Sequence, residues 1–395
     1  MNRRRFLKTT ATLAATAALP AFVREVGAST PIRVGIMLPL SKVMTALGDS
    51  TLSGLMFGHK QFGAEIDGRP IEFFREDDAS DPSLGLSKVR KLVEKDNVDI
   101  VIATVSSGVA AAIRNYLHDS KRLWLNPIAT NDTLAEKECS KYHFRFSASG
   151  WQIAAPLGTW GKAKLGDRAY VLASNYAYGQ QTSAHFKKTF TAAGGTIAGE
   201  AFPPLGTNNF APYFQPMRDA KPPFAFVNLV GSDAVAFVKQ YAEFGMQTIK
   251  VIGPVNLIDE TLLPAQGEAA VGIYSISYYT PSYDIPRNRW YSKAYKEFAP
   301  GKEPDHFNAA GFDLMQALYG AVKSTRGDVS NKEKLIQWIE SAKLDSPRGP
   351  LRFDPKNHNP IQDQHIRIVE AKPLRSVVVD TLKDSTHPDG GCKLA

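Results

Sequence analysis

Short apolar runs alternate with longer segments of helical spacing through the first part of the chain. The apolar runs predict strands at 32–38, 71–76, 98–103 and 123–125, and the segments between them predict helices at 48–62, 82–95 and 108–118. Strands and helices in this alternation are typical of a parallel sheet whose two faces are covered by helices. An α/β unit of the doubly wound kind is therefore predicted here.

The same rhythm begins again after Gly150. It predicts strands at 169–173, 224–229 and 249–252, with helices at 179–192 and 233–244. Two consecutive doubly wound (Rossmann-like) halves follow, because neither half accounts for the whole chain. Beyond them the pattern predicts amphipathic helices at 304–323 and 331–342, the second capped by Asn331, and a strand at 366–369.

The amino terminus has the pattern of an export signal. Arg3-Arg4-Arg5-Phe6-Leu7-Lys8 precedes an apolar run at 9–23, and Val26-Gly27-Ala28 offers a small-residue cleavage site. The paired arginines resemble the twin-arginine type, although Asn2 stands where Ser or Thr is usual. A single uncleaved membrane anchor is the alternative, but the run is short and rich in Ala and Thr. We expect residues 1–28 to be removed and the protein to be periplasmic.

The amino-acid composition argues against several classes of function. The chain of 395 residues has a net charge of +8, and half of that charge comes from five basic residues against one acidic residue within 1–28. No Lys/Arg-rich block follows, which argues against nucleic-acid binding. No CxxC, P-loop, HExxH or Gly-rich dinucleotide fingerprint is present, so we expect neither a cofactor nor a metal.

Cys139 and Cys392 are the only two cysteines. In an exported chain two cysteines most simply pair as a disulfide. Two separate free thiols are the alternative.

Three loops that follow predicted strands carry the candidate chemistry. They are 104–108 (TVSSG), 126–130 (NPIAT) and 174–179 (SNYAYG), and the first and third open helices. In doubly wound folds ligands bind beyond the carboxyl ends of the strands. Hydroxyls and free N–H groups at a helix N-terminus suit a carboxylate or a phosphate. Each loop alone could be a plain helix cap, whereas three on matching strand ends favour a site.

At this point the chain resembles a known family, the type I periplasmic solute-binding proteins of the branched-chain amino acid class, which serve ABC importers. The resemblance covers nearly all of the chain after residue 28. The segments that carry it are VGIMLPLS at 34–41, GD at 48–49, DDASDP at 77–82, SS at 106–107, NPIAT at 126–130, FR at 144–145, YG at 178–179, GP at 253–254 and RGPLRFD at 348–354.

The resemblance implies two lobes joined by three crossovers, near 148–150, 276–279 and 354–359, which close on a ligand by hinge motion. Lobe one would comprise 29–148 plus 279–355, and lobe two 149–278 plus 356–395. It also implies a monomer that captures a small carboxylate and delivers it to ABC permease subunits. ATP hydrolysis would belong to a separate subunit.

The resemblance also implies binding residues. Ser106 and Thr130 match the side chains that hold the ligand carboxylate, with backbone groups offered at Ser107, Ile128 and Ala129. Tyr178 matches the second-lobe tyrosine that closes over the ligand, and Phe307 matches an aromatic residue lining the cleft.

Three positions depart from the family pattern. Leu47 stands where an aromatic residue commonly packs on the ligand, Gly231 where a second tyrosine is expected, and Val255 where amino acid binders have an acid for the ammonium group. Ser80 and Val105 also replace a cysteine pair found in some members. Since an unpaired buried ammonium costs several kcal/mol, we predict a ligand with a carboxylate and an aromatic or apolar body but no ammonium.

Three other functions stay open. Asp233, Asp259 or Glu260 could replace the missing acid, which would restore a branched-chain or other amino acid as ligand. The loop at 104–108 is one residue short of the G-x-S-x-G elbow of serine hydrolases, with Asp233 or Asp313 and His358 or His365 as nominal partners. A sensor that reports its ligand to a membrane receptor would have the same sequence features.

The export signal gives a first prediction. Changing Arg3→Lys together with Arg4→Lys should block export and leave folding intact, because the arginine pair is what the twin-arginine pathway reads. Cell fractionation measures the outcome, with Arg5→Lys as the control of equal charge. Mature double variant in the periplasm at normal yield would refute the twin-arginine assignment.

Overall fold

The computed structural model describes residues 30–394, so the predicted signal segment lies outside the described residues. The first half of the chain forms a six-stranded sheet in the order β2-β3-β1-β4-β5-β6. All neighbours in it are parallel except β2, which runs antiparallel to β3. The strands are β1 Ile32–Leu38, β2 Glu65–Ile66, β3 Arg69–Asp77, β4 Ile100–Ala103, β5 Leu123–Asn126 and β6 His143–Arg145.

Helices cover both faces of this sheet. They are α1 Thr45–Phe62, α2 Pro82–Arg90, which continues as a π-helical turn at Lys91–Lys95, and α3 Ser107–Asp119. Asp81 caps α2 by accepting a hydrogen bond from the Leu84 N–H, and Pro82 fills the first helical position. Every residue of the central strands β4 and β5 is buried, as expected for strands covered on both faces. The predicted doubly wound arrangement is confirmed here.

The second half of the chain forms a larger, mixed sheet in the order β12-β13-β14-β11-β10-β9-β7-β8, with β15 paired to β14. Its core of five strands from β7 to β11 is parallel, and β12 to β15 are joined antiparallel. The strands are β7 Arg168–Ala173, β8 Thr196–Ala201, β9 Phe224–Asn228, β10 Lys250–Pro254, β11 Tyr274–Ser277, β12 Leu344–Ser346, β13 Gly349–Phe353, β14 Pro360–Ala371 and β15 Leu374–Ser385.

The helices of this half include four that the sequence pattern did not reveal, α4, α6, α8 and α9. The α4 segment contains Pro156 and three glycines, and α9 is strongly polar, so neither showed a clear apolar face. The helices are α4 Gly150–Lys164, α5 Ala177–Ala192, α6 Ala211–Asp219, α7 Gly231–Glu243, α8 Leu263–Gln266, α9 Pro286–Phe298, α10 His306–Ser324 and α11 Lys332–Ser341.

The chain passes from one sheet to the other through segments that a buried arginine ties together. The Arg348 guanidinium donates to the Phe146 carbonyl at 2.6 Å, to Gln362 Oε1 at 2.8 Å and to Asp313 Oδ2 at 2.8 Å. These partners come from the segment before α4, from β14 and from α10. Between β11 and β12, α10 packs back on α1, where Gly54 lets the helices approach: a Cβ on Gly54 would lie 2.1 Å from the Asn308 carbonyl oxygen. The division into lobes given above stays a prediction.

A disulfide joins Cys139 to Cys392. It attaches the end of the chain beside β6, and it settles the choice between a pair and two free thiols. Within residues 30–394, no helix is both long and apolar enough to cross a bilayer.

The disulfide gives a second prediction. Its cysteines are 253 positions apart in sequence, and chain-entropy models give about 5 kcal/mol as an upper figure for so long a loop. Reduction should therefore lower the free energy of unfolding by up to that amount, measured by denaturant titration with and without reductant.

The double variant Cys139→Ser plus Cys392→Ser is the control, because its stability should match the reduced protein and not respond to reductant. Mass spectrometry of non-reduced peptides checks the pairing. Two free thiols in the exported protein would refute it.

Candidate functional site

A narrow cavity lies between the two sheets, at the carboxyl ends of their parallel strands. Its walls come from both halves of the chain, so neither half forms it alone. The first half contributes Met44, Leu47, Val105, Ser107, Ile128 and Thr130, and the second contributes Tyr176, Tyr178, Val230 and Asn256.

Four helices begin at this cavity. Met44, Tyr176 and Val230 are the N-cap residues of α1, α5 and α7, and none of them caps its helix with a side-chain hydrogen bond. Ser107 is the first residue of α3. The N-terminus of a helix carries partial positive charge and free N–H groups. Four such ends around one enclosed volume favour an anion inside it.

The ten lining residues are all uncharged. The three acids considered from the sequence are engaged elsewhere. Asp233 accepts a hydrogen bond from the Gly206 N–H at 2.8 Å, and burial raises its pKa to about 6. Asp259 contacts the His306 ring at 2.5 Å, and Glu260 pairs with Arg367 at 3.1 Å. None of these carboxylates is on the cavity wall, so no lining residue within 30–394 would neutralise a ligand ammonium.

Ser107 and Thr130 place two hydroxyls side by side on the wall from the first half. Their oxygens are 3.4 Å apart, and Ser107 Oγ accepts from the Thr130 N–H at 3.3 Å. Buried Arg145 supports this loop from behind, donating to the carbonyls of Thr130 at 3.3 Å and Asn131 at 2.6 Å. Burial lowers the Arg145 pKa to about 10, which still leaves the side chain charged at neutral pH.

Two neighbours that were predicted to bind ligand have local structural partners instead. Ser106 Oγ accepts from the Val109 N–H at 3.5 Å as the N-cap of α3. The Ala129 N–H donates to the Thr104 carbonyl at 3.1 Å, and the Ala129 carbonyl accepts from Asn126 at 2.8 Å. Neither residue is on the cavity wall.

Tyr176 and Tyr178 form an aromatic wall on the opposite side, with ring centroids 6.0 Å apart in an edge-to-face arrangement. The buried Tyr178 hydroxyl lies near the Asn228 amide, but no described residue makes a hydrogen bond of normal geometry with it. Burial raises the pKa of both phenols, so both are neutral hydrogen-bond donors at physiological pH.

The remaining predicted residues lie next to the cavity or in the core. Gly231 begins α7 with φ of +55°, and a Cβ there would lie 2.1 Å from the Val43 carbonyl oxygen of the other half. A side chain at this position would therefore collide with the Val43 backbone. Val255 is buried beside the lining residue Asn256, and Phe307 packs on His306 in the hydrophobic core.

The structure thus brings together five of the predicted residues, Leu47, Ser107, Ile128, Thr130 and Tyr178, around one cavity. Sequence reasoning did not find Met44, Val105, Val230 and Asn256. Their common signal is position, since Val105 and Asn256 follow a strand and Met44 and Val230 precede a helix. Which of several residues in such a loop faces inward depends on the backbone path.

The chain belongs to the periplasmic binding protein family, whose model matches residues 31–374. Among curated relatives, it is 26% identical over 344 residues to the Leu/Ile/Val-binding protein homolog 6 of Brucella melitensis, which covers 86% of this chain and 87% of that one.

Two solved structures are similar over nearly their full length. One is a solute-binding protein of an ABC transporter from R. palustris in complex with benzoate, with 29% identity, a TM-score of 0.88 and coverage of 92% of this chain and 100% of that one. The other is a solute-binding protein of an ABC transporter from Rhodopseudomonas palustris BisB5 in complex with 3,4-dihydroxybenzoic acid, with 29% identity, a TM-score of 0.85 and coverage of 91% and 99%.

Proposed function

We propose that this protein captures an aromatic or apolar organic acid without an ammonium group and delivers it to an ABC permease. The observation that carries the proposal is the uncharged cavity at which four helices begin. A carboxylate gains from the helix N-termini, whereas an ammonium would meet the same partial positive charge with no anionic partner. The benzoate and dihydroxybenzoate held by the similar solved proteins have the chemistry that this cavity favours.

The carboxylate is assigned to the wall formed by Ser107 and Thr130. Their hydroxyls can both donate to it. In the first turn of α3, the N–H of Val109 bonds to Ser106 Oγ and that of Ala110 to the Ser106 carbonyl, which leaves those of Ser107 and Gly108 for a ligand. Two hydroxyls and two backbone donors can hold a carboxylate without an arginine.

The rest of the ligand would lie among apolar and aromatic groups. Tyr176 and Tyr178 can pack against an aromatic ring, and Leu47, Val105 and Ile128 supply an aliphatic surface. At Leu47 the aliphatic side chain replaces the ring that commonly packs on the ligand in this family. An aromatic ligand supplies its own ring, so the site needs fewer aromatic side chains from the protein.

The structure gives no support to a hydrolase. Ser106 is a helix cap, His358 stacks on Phe144 and hydrogen-bonds to Glu340, and His365 hydrogen-bonds to Thr381. None of these groups is on the cavity wall. We propose that the protein is not an enzyme, and that the twin-arginine-type signal brings it to the periplasm.

The proposed ligand class gives a third prediction. Isothermal titration calorimetry on the mature protein should show benzoate or cinnamate binding at least tenfold tighter than leucine or phenylalanine, a difference of about 1.4 kcal/mol or more. Benzamide is the matched control, because it keeps the ring and loses the negative charge, and it should bind more weakly than benzoate. Tighter binding of the amino acids by tenfold would restore the amino acid alternative.

Closure of the two halves gives a fourth prediction. Gly231→Ala should weaken benzoate binding by tenfold or more, because the new Cβ would collide with the Val43 carbonyl before the walls meet. Gly245→Ala is the matched control: Gly245 has φ of +65°, but no atom lies within 4 Å of its Cβ position. Both changes should cost about 1 kcal/mol of stability from backbone strain.

Calorimetry measures the affinities, and small-angle X-ray scattering measures compaction on adding benzoate. Equal affinity in the two variants would show that the close approach at Gly231 is not needed for binding.

A further inference from the structure

Asn256 is the only amide side chain among the residues that line the cavity. It is only 7% exposed. Within residues 30–394 its amide hydrogen-bonds to no other residue. The amide keeps some accessible surface, because neither its oxygen nor its nitrogen is among the fully buried unpaired atoms of the described residues. It lies on the cavity wall, so a ligand can reach it and hydrogen-bond to it.

The loop that carries Asn256 is held firmly. Gly253 lets β10 run against β9, since a Cβ there would lie 2.1 Å from the Val227 carbonyl oxygen. The Leu257 N–H donates to the Pro254 carbonyl at 3.0 Å, and Gln266 donates to the Leu257 carbonyl at 2.8 Å. The amide is therefore presented to the cavity by a fixed turn, which favours a specific hydrogen bond over a loose contact.

Asn256 and the proposed carboxylate site come from opposite halves of the chain. Ser107 and Thr130 follow strands of the first sheet, and Asn256 follows β10 of the second. A rigid aromatic acid whose carboxylate contacts the first wall turns the far side of its ring toward the second. Val255, which matches the position where amino acid binders of the family carry an acid, is adjacent, and the cavity wall presents the neutral amide of Asn256.

We infer that Asn256 selects ligands with a hydroxyl group on the ring, at the 3- or 4-position relative to the carboxylate. This inference rests on the proposed function. The amide oxygen can accept the hydroxyl proton while the amide nitrogen donates to the hydroxyl oxygen. An unsubstituted ring would leave the amide unpaired in the closed cavity, and sites built around such a bond discriminate strongly against the analogue that lacks it.

Similarity to known proteins does not show whether the ligand carries a hydroxyl group on its ring. The two similar solved structures hold benzoate and 3,4-dihydroxybenzoic acid at the same 29% identity. One has no ring hydroxyl and the other has two. The side chain on the cavity wall decides between them.

Calorimetry on the mature protein tests the inference with five acids. Of 3- and 4-hydroxybenzoate, the better ligand should bind at least tenfold tighter than benzoate. 4-Methylbenzoate has nearly the size of 4-hydroxybenzoate without the hydroxyl, and it should gain nothing over benzoate. 2-Hydroxybenzoate should also gain nothing, because its hydroxyl bonds to its own carboxylate.

The variant Asn256→Leu keeps the side-chain size and removes the amide. Within this variant the dissociation constants of benzoate and of the better hydroxybenzoate should come to within twofold of each other, so that the preference for the hydroxylated acid is lost. Asn208→Leu makes the same change on an exposed loop and should leave the preference unchanged. If Asn256→Leu does not fold, the comparison of hydroxyl with methyl in the natural protein still decides the question.

The possible failures are distinguishable. Binding of benzoate and both 3- and 4-hydroxybenzoate within twofold of one another would overturn the role of Asn256 and leave the proposed function standing. A preference for the hydroxylated acid that survives in Asn256→Leu would assign it to another group, such as Tyr178. No binding of any aromatic acid would overturn both proposals.

Discussion

The binding site depends on the way the carboxyl edges of two parallel sheets face each other across a narrow gap. In each half, the helix that follows a strand begins at that edge, so its N-terminus points into the gap. Four of these ends meet around one enclosed cavity without any charged side chain on its walls. The electrostatic preference for an anion is thus a property of the backbone, and no arginine or lysine is needed in the cavity.

Charged side chains are nevertheless buried nearby, where they organise the frame. Arg348 ties together the segments that pass between the two sheets, and Arg145 holds the loop that presents Thr130. Arg367 pairs with Glu260 and also donates to the Ile258 carbonyl at 3.0 Å, which fixes the chain just beyond Asn256. These three arginines contribute by holding backbone segments in place. They hold the loops that carry the neutral groups of the candidate site.

The contrast between Ser106 and Ser107 shows how far sequence reasoning reached. Both belong to one loop that opens a helix, and the pattern correctly placed that loop at a strand end beside the loop at 126–130. Ser106 is the N-cap of α3, and its hydroxyl accepts a hydrogen bond from the Val109 N–H. The side chain of Ser107, the next residue, lies on the cavity wall. The same difference separates two consecutive residues after β10, because Val255 is buried beside the cavity and Asn256 lines it. In irregular backbone, one residue decides whether a side chain faces the ligand or the core.

The sequence by itself determined the two doubly wound halves, about half of their strands and most of their helices, the cysteine inventory and the family, because apolar periodicity and loop composition are local properties. It did not reveal α4, α6, α8 or α9. In α4 and α9, glycine, proline and polar residues conceal the face that tertiary packing buries. It also could not show that Gly231 meets the Val43 carbonyl, that Asp233, Asp259 and Glu260 are all engaged elsewhere, or that Asn256 lines the cavity. Those facts depend on residues far apart in the chain, and only the folded contact between the two halves decides them.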